Sequence, residues 1–313
     1  MMEFTDRHGR YFLRQISRHT LLYSEMITAA AIIHGDRHFL LDFDTAERPL
    51  ALQLGGSDPA QLAAAAEIGQ WSGYGEINLN VGCPSDRVKS GKFGACLMAE
   101  PKLVARCVAA MAAAVDIPVT VKCRIGINGR DSFEELQAFA EIITAAGIKS
   151  LAVHSRIAIL EGLSPKENRE IPPLNYDWVY RLKAALPALE IILNGGVQSL
   201  EDAEHHLQHV DGVMIGRAAF TDSYILAEAD GRIFRDGHAV PSRHDIARAM
   251  LPYIEHALST GARLNHITRH MMGLFHARPG ARLWRRYLSE NVSLAGAGPE
   301  VVEQALVFVP EGS

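Results

Sequence analysis

The residues of this 313-residue chain best suited to chemistry are a cysteine in a sharp turn and polar groups that close short apolar runs. Cys83 lies in Val81-Gly82-Cys83-Pro84, three residues after Asn80. The run before it, Glu76-Ile77-Asn78-Leu79-Asn80, alternates apolar and polar residues and reads as a strand. Gly82 and Pro84 then leave the cysteine in a turn at the strand's C-terminal end. A free thiol, with a pKa of about 8.5, stays mostly protonated at neutral pH and so suits proton donation. Most free cysteines, by contrast, are small buried apolar residues, and Cys96, Cys107 and Cys123 read that way, although Cys96 shares the motif. The polar, glycine-bearing segment from Ser85 to Ala95 tips Cys83 toward function, as such segments after strands often carry it. Lys122 closes another apolar run and reads as a strand-end charge or a Schiff-base lysine. His154 closes a third, where a satisfied core histidine is equally reasonable.

These groups need a scaffold that brings strand ends together. Strands are expected at Leu21–Ile27, Pro49–Leu54, Glu76–Asn80, Pro118–Cys123, Ser150–His154, Glu190–Asn194 and Gly212–Ile215. Helices are expected within Met1–Arg18, near Ala29–His34, after the Ser57-Asp58-Pro59 cap, and over Lys102–Val115, Ser132–Ala146 and Leu200–His209. Strand-then-helix repetition argues for a parallel sheet of the α/β class. A closed (β/α)8 barrel takes eight strands, and seven are counted here. Functional residues of such a barrel sit at the C-terminal strand ends. Those ends are Gln53, Asn80 with Cys83, Lys122, His154, Asn194-Gly195-Gly196 and Gly216-Arg217. The last two groups follow the final two strands, the usual place for a phosphate, where glycines admit backbone N–H groups and Arg217 supplies charge. After Tyr224 the pattern is helical: Arg243–Leu258, Leu264–Phe275, Ala281–Glu290 and a last helix from about Pro299. A barrel over 1–229, a linker over 230–241 and a helical unit over 242–313 follow.

With 48% hydrophobic and 21% charged residues the composition is that of a globular protein. Its four cysteines form no CxxC pair, which points away from zinc and redox dithiols. A reducing cytoplasm fits, and neither a membrane span nor a signal peptide is expected. A net charge of −5 argues weakly against nucleic acid. Yet from Ala257 to Ser289 there are six arginines and no acidic residue, a local basic patch. Arg282 and Arg285 lie one turn apart on a helix that is either solvated surface or a phosphate-binding face.

The stretch NLNVGCPSDRV…GACLM resembles the signature of the flavin-dependent tRNA-dihydrouridine synthases, and most of all their A subfamily. The resemblance runs from Phe4-Thr5-Asp6-Arg7-His8 to Leu283-Trp284-Arg285-Arg286. It implies a TIM-type (β/α)8 barrel followed by an all-helical tRNA-binding domain. It implies NADPH-dependent, FMN-mediated reduction of a uridine in the tRNA D-loop, at U20 or U20a, with the base flipped out of its stack. Cys83 would be the general acid at C5, and Asn80 would hold the uridine. Gln53 would bond the flavin's polar edge, Lys122 would stabilise its reduced form, and His154 would touch it. Asn194, Gly195, Gly196, Gly216 and Arg217 would hold the FMN phosphate, and Met1 would contact the cofactor. Lys166 and Arg169, in the loop Leu163–Leu174, would touch tRNA, as would Arg282 and Arg285. In the family a strand ending in Ala-Pro-Met precedes the segment matching Glu3 to His8. The chain opens at that methionine, so the first barrel strand is expected to be missing. A monomer without metal is expected. The alternatives are a flavin barrel acting on a small free pyrimidine, a flavin-free Schiff-base lyase using Lys122, and a non-catalytic RNA-binding module.

Overall fold

The computed structural model describes residues 3–85, 88 and 90–311. Met1, expected at the cofactor, lies outside the described residues. The strands are β1 (Leu22–Tyr23), β2 (Ile27–Thr28), β3 (Leu50–Gly55), β4 (Glu76–Val81), β5 (Val119–Arg124), β6 (Ser150–His154), β7 (Glu190–Asn194) and β8 (Gly212–Met214). All neighbours pair parallel in the order β1-β3-β4-β5-β6-β7-β8, with β2 also on β3. Helices alternate with the strands, giving a curled, TIM-type α/β sheet. Among the described residues no ladder joins β8 to β1.

Leu21–Ile27 does not form one strand. β1 and β2 both lie on β3, separated by Ser24-Glu25-Met26. Ser24 keeps the chain against β3 through the break: its N–H donates to Ala51 O (2.9 Å), and its Oγ accepts from Gln53 N (2.9 Å).

Alternation on each strand sorts the side chains. Leu52, Ile77, Leu79, Val121, Leu151, Val153 and Leu193 face the helices and form the main core. A Cβ added to Gly69, on the helix Pro59–Trp71, would lie 2.5 Å from Leu52 and 3.0 Å from Ile77, so helix and sheet are in close contact. Asp58 caps that helix by accepting from Gln61 N, and Pro59 opens its first turn. Ser132 and Glu135 form a capping box on the helix Phe133–Ala145. The opposite faces of β3, β4 and β5 carry Gln53, Glu76, Asn78, Asn80, Thr120 and Lys122, linked to one another or to β7 by side-chain hydrogen bonds. Barrel interiors are usually filled by branched apolar side chains; here the β3–β5 part is largely polar.

A second core lies in the C-terminal helices, around Trp284, Phe275, Ile254, Leu288 and Val302. Phe12 and Ile16, from the N-terminal helix Arg7–Arg14 and just after it, pack into this second core rather than the main one. Asp230 is buried and accepts from Ser17 Oγ (2.6 Å), Arg18 N (2.6 Å) and His19 N (3.2 Å), which ties the start of the 230–241 segment to the N-terminal segment. No helix among the described residues is long and apolar enough to cross a membrane.

Candidate active site

At the C-terminal end of β4 the cysteine turn is held from both sides. The backbone N–H groups of Gly82 and Cys83 donate to Asn80 Oδ1, each at 3.0 Å. Arg124, the last residue of β5, is buried and donates from Nε to Gly82 O (3.1 Å). The carbonyl of Cys83 accepts from Ala95 N (2.9 Å), and its Sγ lies 3.5 Å from Ser85 Oγ. The thiol itself is half-buried. Lys122, Arg124 and Arg169 all lie within electrostatic reach of it.

Register brings the other strand ends beside this turn. Asn80 pairs with Lys122, while Arg124, His154, Asn194 and Met214 are aligned across β5 to β8. Lys122 Nζ donates to Asn194 Oδ1 (2.9 Å), and Asn194 Nδ2 donates to Met214 O (2.7 Å). Burial, with Arg124 adding repulsion, lowers the Lys122 ammonium to about 8. Burial likewise holds His154 well below the usual histidine range, helped by Arg124 and Lys122, so its ring is neutral. Its Nδ1 is buried with no hydrogen-bond partner, and such an orphaned group calls for a ligand or water. Gly195 and Gly196 follow with φ of +108° and +80°. A Cβ on Gly196 would lie 2.4 Å from Tyr176 Oη and 2.6 Å from Leu174. Only glycine fits there, against Tyr176 and Leu174 and at a positive φ.

The 163–174 loop roofs one side of this mouth. Asn168 is fully buried and ties the loop down, donating to Ile159 O (2.9 Å) and Leu163 O (3.2 Å) and accepting from Ile159 N (2.7 Å). Arg124 Nη1 donates to Asn168 O (2.8 Å), so one buried guanidinium joins the loop to the Cys83 turn. Arg169 Nε is buried without a partner. Arg217 pairs with Glu170 (2.8 Å) and donates to Arg169 O (3.1 Å), holding the loop to the segment after β8.

The sequence matches the dihydrouridine synthase family over residues 1–309. The chain belongs to that family. It is 60% identical over 306 residues to the tRNA-dihydrouridine(20/20a) synthase of Synechocystis sp., covering 98% of this chain and 92% of that one. The enzymes of the same name from Shewanella oneidensis (59% identity; 97% and 91% covered) and Vibrio cholerae (58%; 99% and 95%) are similarly close. Among solved structures, a 2-naphthoyl-CoA reductase in complex with 2-naphthoyl-CoA superposes with a TM-score of 0.55 at 12% identity. The match covers 72% of this chain and 48% of that one, and it is a likeness of fold. The chain is therefore an enzyme of an oxidoreductase family built on a TIM-type barrel.

Of the residues singled out in the sequence of this family member, Gln53, Asn80, Cys83, Lys122, His154, Asn194, Gly195 and Gly196 meet at one mouth. Arg169, Gly216 and Arg217 stand at its edge, and Lys166 is exposed on the roofing loop. Arg282 and Arg285 are elsewhere, on the outer face of the helix Ala281–Asn291, whose inner face puts Trp284 and Leu288 into the second core. Among the described residues neither makes an ion pair, whereas Arg286 pairs with Glu290 (2.8 Å). Arg269, counted in the basic patch, is committed to Asp6. Sequence reasoning missed Arg124 because it ended the strand at Cys123. The signal was a second cation two residues after Lys122, on the same face. Among the described residues no cluster of His, Cys, Asp or Glu could hold a metal.

Proposed function

We propose that this enzyme reduces the C5–C6 double bond of a D-loop uridine in tRNA to dihydrouridine, at U20 or U20a. Over most of its length the chain resembles relatives that carry the name tRNA-dihydrouridine(20/20a) synthase. The observation that carries the reading is the mouth itself: a half-buried thiol in a fixed turn beside Asn80, Lys122, and a neutral His154 whose Nδ1 has no partner. The residues fit a flavin mononucleotide. The glycine pair and Arg217 suit its phosphate, while Lys122, Gln53 and His154 suit its ring. A flavin held by these residues would supply the hydride that reduction of the uracil ring needs, with NADPH as its reductant.

The protein's own residues do the rest. Asn80 would hold the uracil edge, and the Cys83 thiol would deliver a proton to C5. Lys122 favours negative charge on the ring beside it. Lys166 and Arg169 meet the tRNA at the rim, and we assign Arg282 and Arg285 to backbone phosphates farther away. In this reading residues 1–229 form the catalytic barrel, 230–241 the linker and 242–313 the tRNA-binding unit.

Purified protein should carry a flavin absorption spectrum, and Cys83→Ala should retain it. The variant should still take hydride from NADPH, yet form dihydrouridine on unmodified tRNA at least 10²-fold more slowly, roughly the contribution of a general acid. Near-wild-type turnover would remove Cys83 from its role.

A further inference from the structure

Below the mouth, six side chains on four strands form one unbroken hydrogen-bonded line. It starts at the Gly82 and Cys83 N–H groups on Asn80 Oδ1 (3.0 Å each). Asn80 Nδ2 donates to Gln53 Oε1 (2.8 Å), and Gln53 Nε2 donates to Asn78 Oδ1 (2.9 Å). Asn78 Nδ2 donates to Thr120 Oγ1 (2.8 Å), and Thr120 donates to Glu76 Oε1 (2.6 Å). Tyr23 Oη donates to the same carboxylate oxygen (3.0 Å). From the cysteine turn to Glu76 every bond points the same way, and Tyr23 donates into the same carboxylate from the far side.

The two ends explain the common sense of the line. Backbone N–H groups can only donate, so Asn80 must show them its oxygen. Burial raises the Glu76 carboxyl above its usual range, opposed by the hydrogen bonds from Thr120 and Tyr23 that favour its charged form. Once ionised it can only accept, so Thr120 must spend its hydroxyl hydrogen on Glu76 and offer a lone pair to Asn78. Burial, with Glu76 beside it, pushes the Tyr23 hydroxyl well above its usual range and keeps it a donor. Between the ends stand three amides, whose oxygen and nitrogen ends are nearly equal in shape, so partners alone decide which way each faces. Without the lower end, Thr120 is free to turn its hydrogen to Asn78. Asn78 and then Gln53 would reverse, and Gln53 would present N–H to the N–H of Asn80. Asn80 would then have to satisfy either Gln53 or the cysteine turn.

We propose that Thr120 and Glu76 are positioning residues for the reaction: from below the mouth they fix the amide sense of Gln53 and Asn80. In that sense Gln53 and Asn80 each spend one hydrogen on the line and keep the second for a ligand. The mouth therefore shows donors to carbonyl edges, those of the flavin ring and of the uracil. Reversed amides would show oxygens to the same edges. This inference rests on the proposed function and adds to it residues that touch neither ligand.

Thr120→Val keeps the shape and removes the hydroxyl, and Thr120→Ser keeps the hydroxyl. The holoenzymes would be compared by flavin absorption spectrum, FMN dissociation constant from flavin fluorescence, KM and kcat on unmodified tRNA, and melting temperature. Thr120→Val should shift the spectrum and weaken FMN binding or raise KM by about tenfold, the worth of one misdirected hydrogen bond. Thr120→Ser should return each value to within about twofold of wild type on the same scale. Glu76→Gln, whose amide can accept from or donate to Thr120, permits both senses and should fall between; it also stands in if Thr120→Val does not fold. A Thr120→Val protein altered in melting temperature alone, or a Thr120→Ser protein as impaired as Thr120→Val, would overturn the inference. Wild-type protein that binds no flavin and leaves tRNA unchanged would instead overturn the functional reading, and this inference with it.

Discussion

The inner face of β3–β5 and the centre of the C-terminal helices are both buried, but they are built from opposite materials. The first holds Gln53, Asn78, Asn80 and Thr120, with Glu76 half-buried at its lower end; the second holds Trp284, Phe275, Ile254, Leu288 and Val302. Apolar burial contributes about 25 cal/mol per Å², tolerates many rearrangements and specifies orientation loosely. A buried hydrogen bond adds only about 1 kcal/mol net, yet costs more when one partner is lost. The polar face therefore gives little stability for its size, and what it provides is fixed direction at the Cys83 turn. The helical core does the reverse.

The largest expected effect breaks the comparison on its apolar side. Trp284 is fully buried, lies 4.9 Å edge-on from Phe275, and donates from Nε1 to Met271 O (3.3 Å). Trp284→Ala should cost about 3–5 kcal/mol, measured by urea unfolding followed by circular dichroism. The flavin spectrum of the folded variant should stay that of the wild type. A changed spectrum would show that the two regions are not separate in function.

A smaller effect tests the seam that joins the regions. His8 is buried with its Nδ1 2.7 Å from Tyr253 Oη, and Asp6 meets His270 (2.8 Å) and Arg269. Burial lowers His8 to about 4, against a partial pull upward from Asp6. Burial pushes Asp6 up, but hydrogen bonds from His270, Gly9 N and Arg269 outweigh it and hold the carboxyl well below its usual range. Above pH 6.5 His8 is neutral folded or unfolded and adds no pH dependence. As pH falls from 6.5 to 4 the unfolded chain takes a proton that the folded chain refuses, so stability declines across that window. Asp6 extends the decline to lower pH. His8→Gln should flatten the fall of melting temperature between pH 6.5 and 4, and an unaltered slope would assign the titration to other groups.

The strands and their polar ends were legible in sequence; the contacts between strands were not. The alternation from Glu76 to Asn80 and the polar strand ends disclosed the sheet and most of the mouth, because strand period and strand ends are local properties. Arg124 escaped because the strand runs one residue past Cys123, and boundaries are set by pairing, here with His154 on β6. The break at Ser24–Met26 escaped because Leu21–Ile27 carries no glycine or proline to mark it; the Ser24 contact with Gln53 appears only once β3 is alongside. The line from Asn80 to Glu76 depends on cross-strand register, which places Gln53, Asn78 and Thr120 side by side. The six-arginine count misled in one detail, since Arg269 finds Asp6 across 263 residues.

The smallest expected effect concerns the arginines that remain. Arg282 and Arg285 are exposed on the helix Ala281–Asn291, while Ala281, Trp284 and Leu288 anchor its other face. The apolar core thus fixes a basic face without contributing to the barrel's mouth. Being three residues apart, the two guanidinium groups can reach neighbouring phosphates from one turn of helix. Arg282→Ala with Arg285→Ala should weaken tRNA binding modestly and reduce its salt slope by about 2, one for each lost phosphate contact. Flavin content and NADPH oxidation with an artificial acceptor should not change, because neither needs this surface. The comparison is sharpened if only the salt slope moves. An unchanged slope would make this helix ordinary solvated surface and leave tRNA to Lys166 and Arg169 on the roofing loop.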